Sequence, residues 1–202
     1  MATLAHALTV DFIKHGWAVL EDFLPAAHWH ALADEAEQLW AQGAFHKAGI
    51  GRDATRRLQA RVRGDYTLWL DRQWTPVACQ FVEHELEAVR RALNAGIFLG
   101  LFEFEGQLAR YPAGASYARH LDQLHATRER QVSVVLYLNA DWQSTEGGEL
   151  WLYRGPTPAD THMAIKPRGG TLVLFASADT PHEVRPATRA RLSLSGWLRR
   201  RA

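Results

Sequence analysis

The chain has 202 residues and a formal net charge of +1, and its single cysteine is Cys79. A chain of this length predicts one domain with a sizeable buried core. The near-zero charge gives no reason to expect a nucleic-acid or membrane partner, and a lone cysteine excludes an intramolecular disulfide. Residues 1–6 lack a signal-peptide pattern and no apolar run is long enough to span a membrane, so we expect a cytoplasmic protein.

The first hundred residues have the pattern of helices with one strand between them. Thr9 can cap a short helix that ends at Gly16. Pro25 can open a second helix, which ends at Gly43. The apolar spacing predicts, in chain order, a helix at 10–15, a strand at 17–23, a helix from Pro25 onward and a helix at 76–94. Asn94 and the following Ala-Gly are expected to stop the last helix.

A basic segment at 49–65 separates the second and third predicted helices. Its five arginines are Arg52, Arg56, Arg57, Arg61 and Arg63. A run of like charges is usually a solvated surface. The alternative is a mobile flap over a substrate groove, because long loops on rigid scaffolds often carry function. Both interpretations stay open.

From residue 102 onward the pattern changes to short strands separated by turns rich in glycine and proline. The predicted strands are 107–111, 117–120, 131–138, 149–153, 163–165, 171–175, 182–184 and 191–197. Evenly spaced short strands with such turns are typical of a sandwich or a jelly roll. No linker precedes them, so we expect the helices to pack on one sheet.

Two histidines and an aspartate in this second half form a candidate metal site. His120 and Asp122 are two residues apart, and alternate residues of a strand point to the same side. With His182 they can occupy one face of a metal ion and leave the other face open, as in non-haem Fe(II) oxygenases. The same ligands also suit Mn(II), Co(II) or a catalytic Zn(II). A lone histidine in a strand is more often a packing residue, so the prediction depends on the combination.

An arginine nine residues after the second histidine narrows the chemistry. Arg191 can bind a carboxylate through two parallel hydrogen bonds. Zinc hydrolases have no general need for such a group, whereas an oxidase that uses a keto-acid must anchor the far carboxylate of that acid. Arg191 therefore favours a keto-acid-dependent oxygenase over a hydrolase.

Several motifs in fixed order resemble one enzyme family over residues 12–197. They are HGWAVLEDFL at 15–24, RGDYTLW at 63–69, YPAGASYARHLD at 111–122, YLNADW at 137–142, EGGEL at 146–150, PHEVRP at 181–186 and RLSLSGW at 191–197. The chain resembles the Fe(II)- and 2-oxoglutarate-dependent prolyl 4-hydroxylases, above all the hypoxia-sensing prolyl-hydroxylase-domain enzymes and their bacterial homologues. Collagen-type members usually carry lysine where Arg191 stands, which favours the sensor branch.

The resemblance implies a mostly β fold with flanking helices. A double-stranded β-helix, or jelly roll of the cupin type, is expected to form from 101–202, with the helices and the mobile basic loop of 1–100 supporting it. Iron would be held by His120, Asp122 and His182. The residues implied to bind 2-oxoglutarate are Arg191, Tyr137 and Tyr111, and those implied to border the substrate pocket are Tyr117, Arg130 and Trp197.

The implied reaction hydroxylates a prolyl residue of a protein. It consumes O2 and 2-oxoglutarate, releases succinate and CO2, and uses ascorbate as the reductant. Members of the wider family modify transcription factors and translation proteins, so the expected partner is a protein such as a translation factor, and the expected state is a monomer or weak dimer. Two alternatives stay open: the same chemistry on a small molecule such as a free amino acid, and a non-catalytic jelly-roll module that keeps a metal site for structure or sensing.

Overall fold

The computed structural model describes residues 2–49, 59, 62–70, 77–123, 128–155, 157 and 162–201, with the side chains of 2–7, 77 and 78 excepted. The α-helices in these residues are α1 (Ala2–His15), α2 (Ala26–Ala41) and α3 (Val77–Ile97). The strands are β1 (Trp17–Leu20), β2 (His46–Lys47), β3 (Tyr66–Trp69), β4 (Leu101–Tyr111), β5 (Tyr117–His120), β6 (Arg130–Tyr137), β7 (Leu150–Tyr153), β8 (His162–Ile165), β9 (Leu172–Ala176), β10 (His182–Val184) and β11 (Arg191–Arg200).

The strands form two antiparallel sheets. The larger sheet has seven strands in the order β1-β9-β6-β11-β4-β3-β2, and the smaller has four in the order β5-β10-β7-β8. Non-consecutive strands are neighbours in both sheets, which is the connectivity of a jelly roll. The predicted fold, a mostly β double-stranded β-helix with flanking helices, is confirmed.

Alternation along the strands of the larger sheet divides its side chains between two cores. On β6, Val132, Val134 and Leu136 join the core that contains the helices. Val135 and Tyr137 point the other way, into the core shared with the smaller sheet. The helices therefore cover one face of the larger sheet, as predicted, and the opposite face is left to line the space between the sheets.

The helices begin or end at residues other than those predicted. Helix α1 starts at Ala2 because residues 2–8 are mostly alanine and leucine, which are strong helix formers. Thr9 accordingly lies inside α1 and does not cap it. The C-terminal end of α1 is as predicted, since Gly16 follows the helix with a φ of 80°.

Helix α3 continues past its predicted stop at Asn94 and ends at Ile97. The side-chain amide of Asn94 donates to the carbonyl of Leu101 and accepts from the amide of Leu101, both at 2.8 Å. Asn94 thus joins the helix to the start of β4 and does not terminate the helix. The predicted first residue of this helix, Pro76, lies outside the described residues.

Two short strands, β2 and β3, were not predicted. They form one edge of the larger sheet, where β3 pairs with β4. Most of the basic segment, 50–58 and 60–61, lies outside the described residues, and with it the predicted flap and every arginine of the segment except Arg63. Of the helices in the described residues, not one combines the length and apolarity needed to cross a membrane.

Candidate functional site

Antiparallel pairing of β5 with β10 brings two histidines together. His120 and His182 are direct register partners, and their ring centroids are 4.1 Å apart. The spacing argument assumed that Asp122 lies in the same strand as His120. Strand β5 ends at His120, however, and Asp122 lies in the bend beyond it. Oδ1 of Asp122 nevertheless lies 3.5 Å from Nε2 of His120, and Oδ2 lies 3.7 Å from Nε2 of His182.

The hydrogen bonds of both imidazole rings fix which nitrogen is free. Nδ1 of His120 is 2.8 Å from the carbonyl of Ala118, and Nδ1 of His182 is 3.1 Å from the carbonyl of Thr180. A carbonyl oxygen can only accept, so each Nδ1 carries the proton and donates. Each Nε2 then has a free lone pair, and one ligand atom from each of the three residues lies within 4.8 Å of the others. The set can hold a metal ion.

Burial and neighbouring charge put these groups in the protonation states that bind metal. Burial and, to a smaller extent, the nearby His120 together lower the pKa of His182 to about 4, against the opposing effects of Asp122 and of the hydrogen bond to Thr180. Burial alone would raise the pKa of Asp122, but the neighbouring His182 and His120 and a hydrogen bond from Ser133 hold it well below its usual range. At neutral pH the site thus has a neutral His182 and an ionised Asp122, the forms that divalent metals require.

The candidate metal site opens into a cavity between the two sheets. The cavity encloses about 530 Å³, including its opening to solvent. Polar and aromatic side chains of β4, β5, β10 and β11 line it, together with Arg63 and Asp65. A co-substrate could therefore reach the metal and the larger sheet at once.

A buried cation faces this cavity from the larger sheet. Arg191 is 2% exposed, and its Nη2 donates to the hydroxyl of Tyr137 at 3.2 Å. Its guanidinium carbon is 4.9 Å from the ring centre of Tyr137 and 5.1 Å from that of Tyr111. No carboxylate of the described residues forms an ion pair with Arg191, and its Nε has no hydrogen-bond partner there. Burying an unpaired charge is costly, which indicates that an anion belongs beside it.

Two of the three residues expected to border the substrate pocket line the cavity. Tyr117 stacks on the ring of His120 with 3.6 Å between ring centroids, and Trp197 forms part of the wall. Arg130 lies outside the cavity wall. Its guanidinium lies 3.4 Å from the ring centre of Trp197 and pairs with both carboxylate oxygens of Glu105, at 3.0 and 3.2 Å.

Comparison with known proteins relates this site to a family. The model of the 2OG-Fe(II) oxygenase superfamily matches residues 106–199. The crystal structure of a Pseudomonas putida prolyl-4-hydroxylase superimposes with a TM-score of 0.86 at 40% identity, over 98% of this chain and 100% of that one. The chain belongs to the 2OG-Fe(II) oxygenase superfamily. Fe(II) and 2-oxoglutarate are characteristic of this superfamily.

Other 2OG-Fe(II) oxygenases are similar over most of this chain. A prolyl hydroxylase from Trichoplax adhaerens, solved with a peptide fragment of the hypoxia-inducible factor oxygen degradation domain, has a TM-score of 0.85 at 26% identity, over 96% of this chain and 88% of that one. The hypoxia-inducible factor prolyl hydroxylase of Caenorhabditis elegans is 30% identical over 91% of this chain, and human Egl nine homolog 1 is 28% identical over 91%. The chain spans only 26% and 44% of those two proteins, less than half their length.

Two serines near the candidate metal ligands were missed by the sequence analysis. Ser133 on β6 donates from Oγ to Oδ2 of Asp122 at 2.7 Å, and its Oγ is 2.9 Å from that of Ser177. Ser133 is the polar residue within the apolar run 132–136, which is a signal that could have found it. Ser177 lies in the turn after β9, where the sequence holds no comparable signal.

Proposed function

We propose that this protein is an Fe(II)- and 2-oxoglutarate-dependent dioxygenase that hydroxylates a prolyl residue of a protein substrate. The proposal is carried by one observation: the buried charge of Arg191, which no carboxylate of the described residues pairs, lies on the same cavity as the candidate metal site. A hydrolytic metal site needs no such cation. A co-substrate that binds metal at one end and presents a carboxylate at the other requires both features.

The three metal ligands account for one half of this site. His120 and His182 would bind iron through Nε2, since their Nδ1 protons are held by backbone carbonyls. Asp122 would supply a carboxylate oxygen and balance part of the charge. Three ligands on one side of an ion leave positions for other molecules. Bound iron supplies the oxygen chemistry, and the protein orients the reactants and excludes water.

Arg191, Tyr137 and Tyr111 account for the other half. The guanidinium of Arg191 would bind the distal carboxylate of 2-oxoglutarate, with the hydroxyl of Tyr137 as a second donor. Tyr111 is 6% exposed and lines the wall beside Arg191. This arrangement should select a dicarboxylic keto-acid over a monocarboxylic one, because the latter leaves the buried cation unpaired.

The proposed substrate follows from the relatives and from the cavity wall. The similar structures from Pseudomonas putida and Trichoplax adhaerens are prolyl hydroxylases, and the second of them holds a peptide. Tyr117 and Trp197 give the wall aromatic faces that suit a pyrrolidine ring. Resemblance to enzymes that modify translation proteins favours a translation factor as the target in the cytoplasm, with ascorbate as the reductant.

The test incubates the purified protein with Fe(II), 2-oxoglutarate and lysate proteins under air. We expect succinate to form and the mass of a proline to rise by one oxygen atom. His120→Ala and Asp122→Ala should abolish both signals. His162→Ala, which removes an exposed histidine of β8 outside the cavity, should leave them unchanged. Near-wild-type succinate formation in either ligand variant would contradict the proposal.

A second comparison separates a protein substrate from a free amino acid. Peptides around the modified proline would be shortened step by step towards free proline. Turnover that disappears as the flanking residues are removed supports a peptide substrate. Equal turnover of free proline would show that the small-molecule alternative is right.

A further inference from the structure

Two buried hydroxyl groups form a directed chain of hydrogen bonds that ends on Asp122. The Oγ of Ser133 donates to Oδ2 of Asp122 at 2.7 Å, and it lies 2.9 Å from the Oγ of Ser177. A serine hydroxyl has one proton. Because the carboxylate takes the proton of Ser133, the second bond must run from Ser177 to Ser133. The order of donation is therefore Ser177, Ser133, Asp122.

Both hydroxyl groups of the chain are shielded from water. Ser133 is 1% exposed and Ser177 is 0% exposed. Hydrogen bonds to a charged acceptor are stronger than neutral ones, and a low local dielectric strengthens them further. A donor that itself accepts a hydrogen bond is polarised and becomes a better donor. The hydroxyl of Ser177 is thus placed to act on Asp122 only through the hydroxyl of Ser133.

The chain also positions a residue that the strands do not hold. Asp122 lies beyond the end of β5, whereas Ser133 belongs to β6 and Ser177 to the turn after β9. The same turn is bound through its backbone: the amide of Gln123 donates to the carbonyl of Ser177 at 3.0 Å, and the amide of Ser177 donates to the carbonyl of Gln131 at 3.0 Å. The larger sheet thereby fixes a ligand whose histidine partners lie on the smaller sheet.

We propose that Ser133, supported by Ser177, is a positioning residue that occupies Oδ2 of Asp122 and presents Oδ1 to the metal as a single ligand atom. The inference deepens the proposed function and rests on its metal site. Without this hydrogen bond both oxygens are free, so the carboxylate can rotate or bind the metal through both. A fixed single-atom ligand keeps one more position on the metal open for co-substrate. Loss of the hydroxyl should weaken metal binding and change the coordination number.

The experiment measures Co²⁺ binding by isothermal titration calorimetry and by the visible absorption of the bound ion, which depends on coordination number. No 2-oxoglutarate or substrate is present. We expect Ser133→Ala to bind Co²⁺ about 10- to 100-fold more weakly than wild type, the range typical of lost hydrogen bonds to metal ligands, with an altered spectrum. Ser133→Thr, which keeps the hydroxyl, should bind Co²⁺ with the affinity and the absorption spectrum of wild type. Thr67→Val is the matched control, since it removes a buried hydroxyl of the larger sheet outside the cavity wall.

A double-mutant cycle tests the order of the chain. Ser177→Ala should weaken Co²⁺ binding by a smaller factor, and the double variant should bind like Ser133→Ala alone, because Ser177 acts through Ser133. Additive effects would overturn the chain. Wild-type affinity and spectrum in Ser133→Ala would overturn the positioning role, and thermal unfolding without metal checks that each variant folds. These outcomes do not depend on turnover, so an inactive wild-type enzyme would contradict the proposed function and leave the metal data standing.

Discussion

At the residue scale, Arg191 combines a permanent charge with nearly complete burial and a phenol as its polar partner. Replacing it with alanine removes the proposed partner of the distal carboxylate. A hydrogen bond to a charged group contributes about 1.5–3 kcal/mol, so we expect the KM for 2-oxoglutarate to rise by at least about 10-fold. The change would be measured as succinate formation against 2-oxoglutarate concentration.

Tyr137→Phe is the matched control for Arg191→Ala. It removes one hydroxyl and keeps the cation, so the KM for 2-oxoglutarate should rise by a smaller factor. The KM of Arg191→Lys for 2-oxoglutarate should lie between the values of these two variants, because lysine keeps the charge and loses the two parallel hydrogen bonds. An unchanged KM in Arg191→Ala would contradict the proposed role of the guanidinium.

The thiol of Cys79 is completely buried on α3, and this predicts its reactivity. Burial raises the pKa of Cys79 to about 12, with smaller contributions from Glu35 and Glu83. Only the thiolate reacts with alkylating agents. The folded protein should therefore resist iodoacetamide even at about pH 9, where an exposed thiol of ordinary pKa is largely deprotonated. Mass spectrometry would follow labelling with and without denaturant, and rapid labelling of the folded protein would contradict the prediction.

The candidate metal ligands were easier to predict from the sequence than the contacts that position them. His120, Asp122 and His182 were predicted from spacing and strand alternation, even though Asp122 proved to lie beyond the strand. Ser133 has the right alternation for an inward-facing residue, but its partner depends on how the chain bends after His120. Ser177 depends on the conformation of a turn, which local sequence does not determine.

At the element scale, two glycines face each other where β4 pairs with β11. Gly196 and Gly106 are direct register partners, and a Cβ on Gly196 would lie 2.1 Å from the carbonyl oxygen of Glu105 and 2.8 Å from the Cα of Gly106. Backbone atoms cannot yield as a flexible side chain can. Gly196→Ala should therefore lower the free energy of unfolding by about 1–3 kcal/mol or more.

Urea unfolding of Gly196→Ala would measure that loss. Gly43→Ala is the matched control, because a Cβ there meets nothing within 4 Å and the cost is confined to a φ of 75°. That backbone cost is about 1–2 kcal/mol. Gly196→Ala should also shift Trp197, the next residue of β11, and lower turnover. Equal unfolding free energies for wild type and Gly196→Ala would show that the strands can separate without penalty.

The lengths of the elements and the turns between them explain which elements were predicted. Strands of the second half were predicted to within a few residues because glycine and proline turns delimit them. The start of β4 was placed six residues late, at 107 instead of Leu101, although its first residues alternate phenylalanine with glutamate, a strand pattern that the sequence analysis missed. Asn94 was wrongly assigned as a helix stop. Its hydrogen bonds to Leu101 depend on the turn that follows the helix, and the local sequence does not show that turn. Strands of two and four residues, such as β2 and β3, carry too little pattern to be distinguished from a loop.

At the scale of the whole molecule, the cavity joins groups from both sheets. The two histidine ligands belong to β5 and β10 of the smaller sheet, and Arg191 and Tyr137 belong to the larger one. Apart from Asp122, which Ser133 links to the larger sheet, the proposed metal site and the proposed carboxylate site are thus on opposite layers. A molecule of 2-oxoglutarate bound to both would connect the sheets across the cavity.

This geometry predicts that metal and 2-oxoglutarate stabilise the fold together more than separately. Ligands at about 100 times their Kd add about 2.7 kcal/mol, which for a chain of this size raises Tm by about 5–10 °C. With Mn²⁺ as a redox-stable metal, 2-oxoglutarate should raise Tm further, whereas 2-oxoglutarate alone should raise it little because its metal-binding end has no partner. EDTA should reverse both shifts. Arg191→Ala should keep the shift caused by Mn²⁺ and lose the increment from 2-oxoglutarate, and a full shift from 2-oxoglutarate without metal would mean that the two sites are independent.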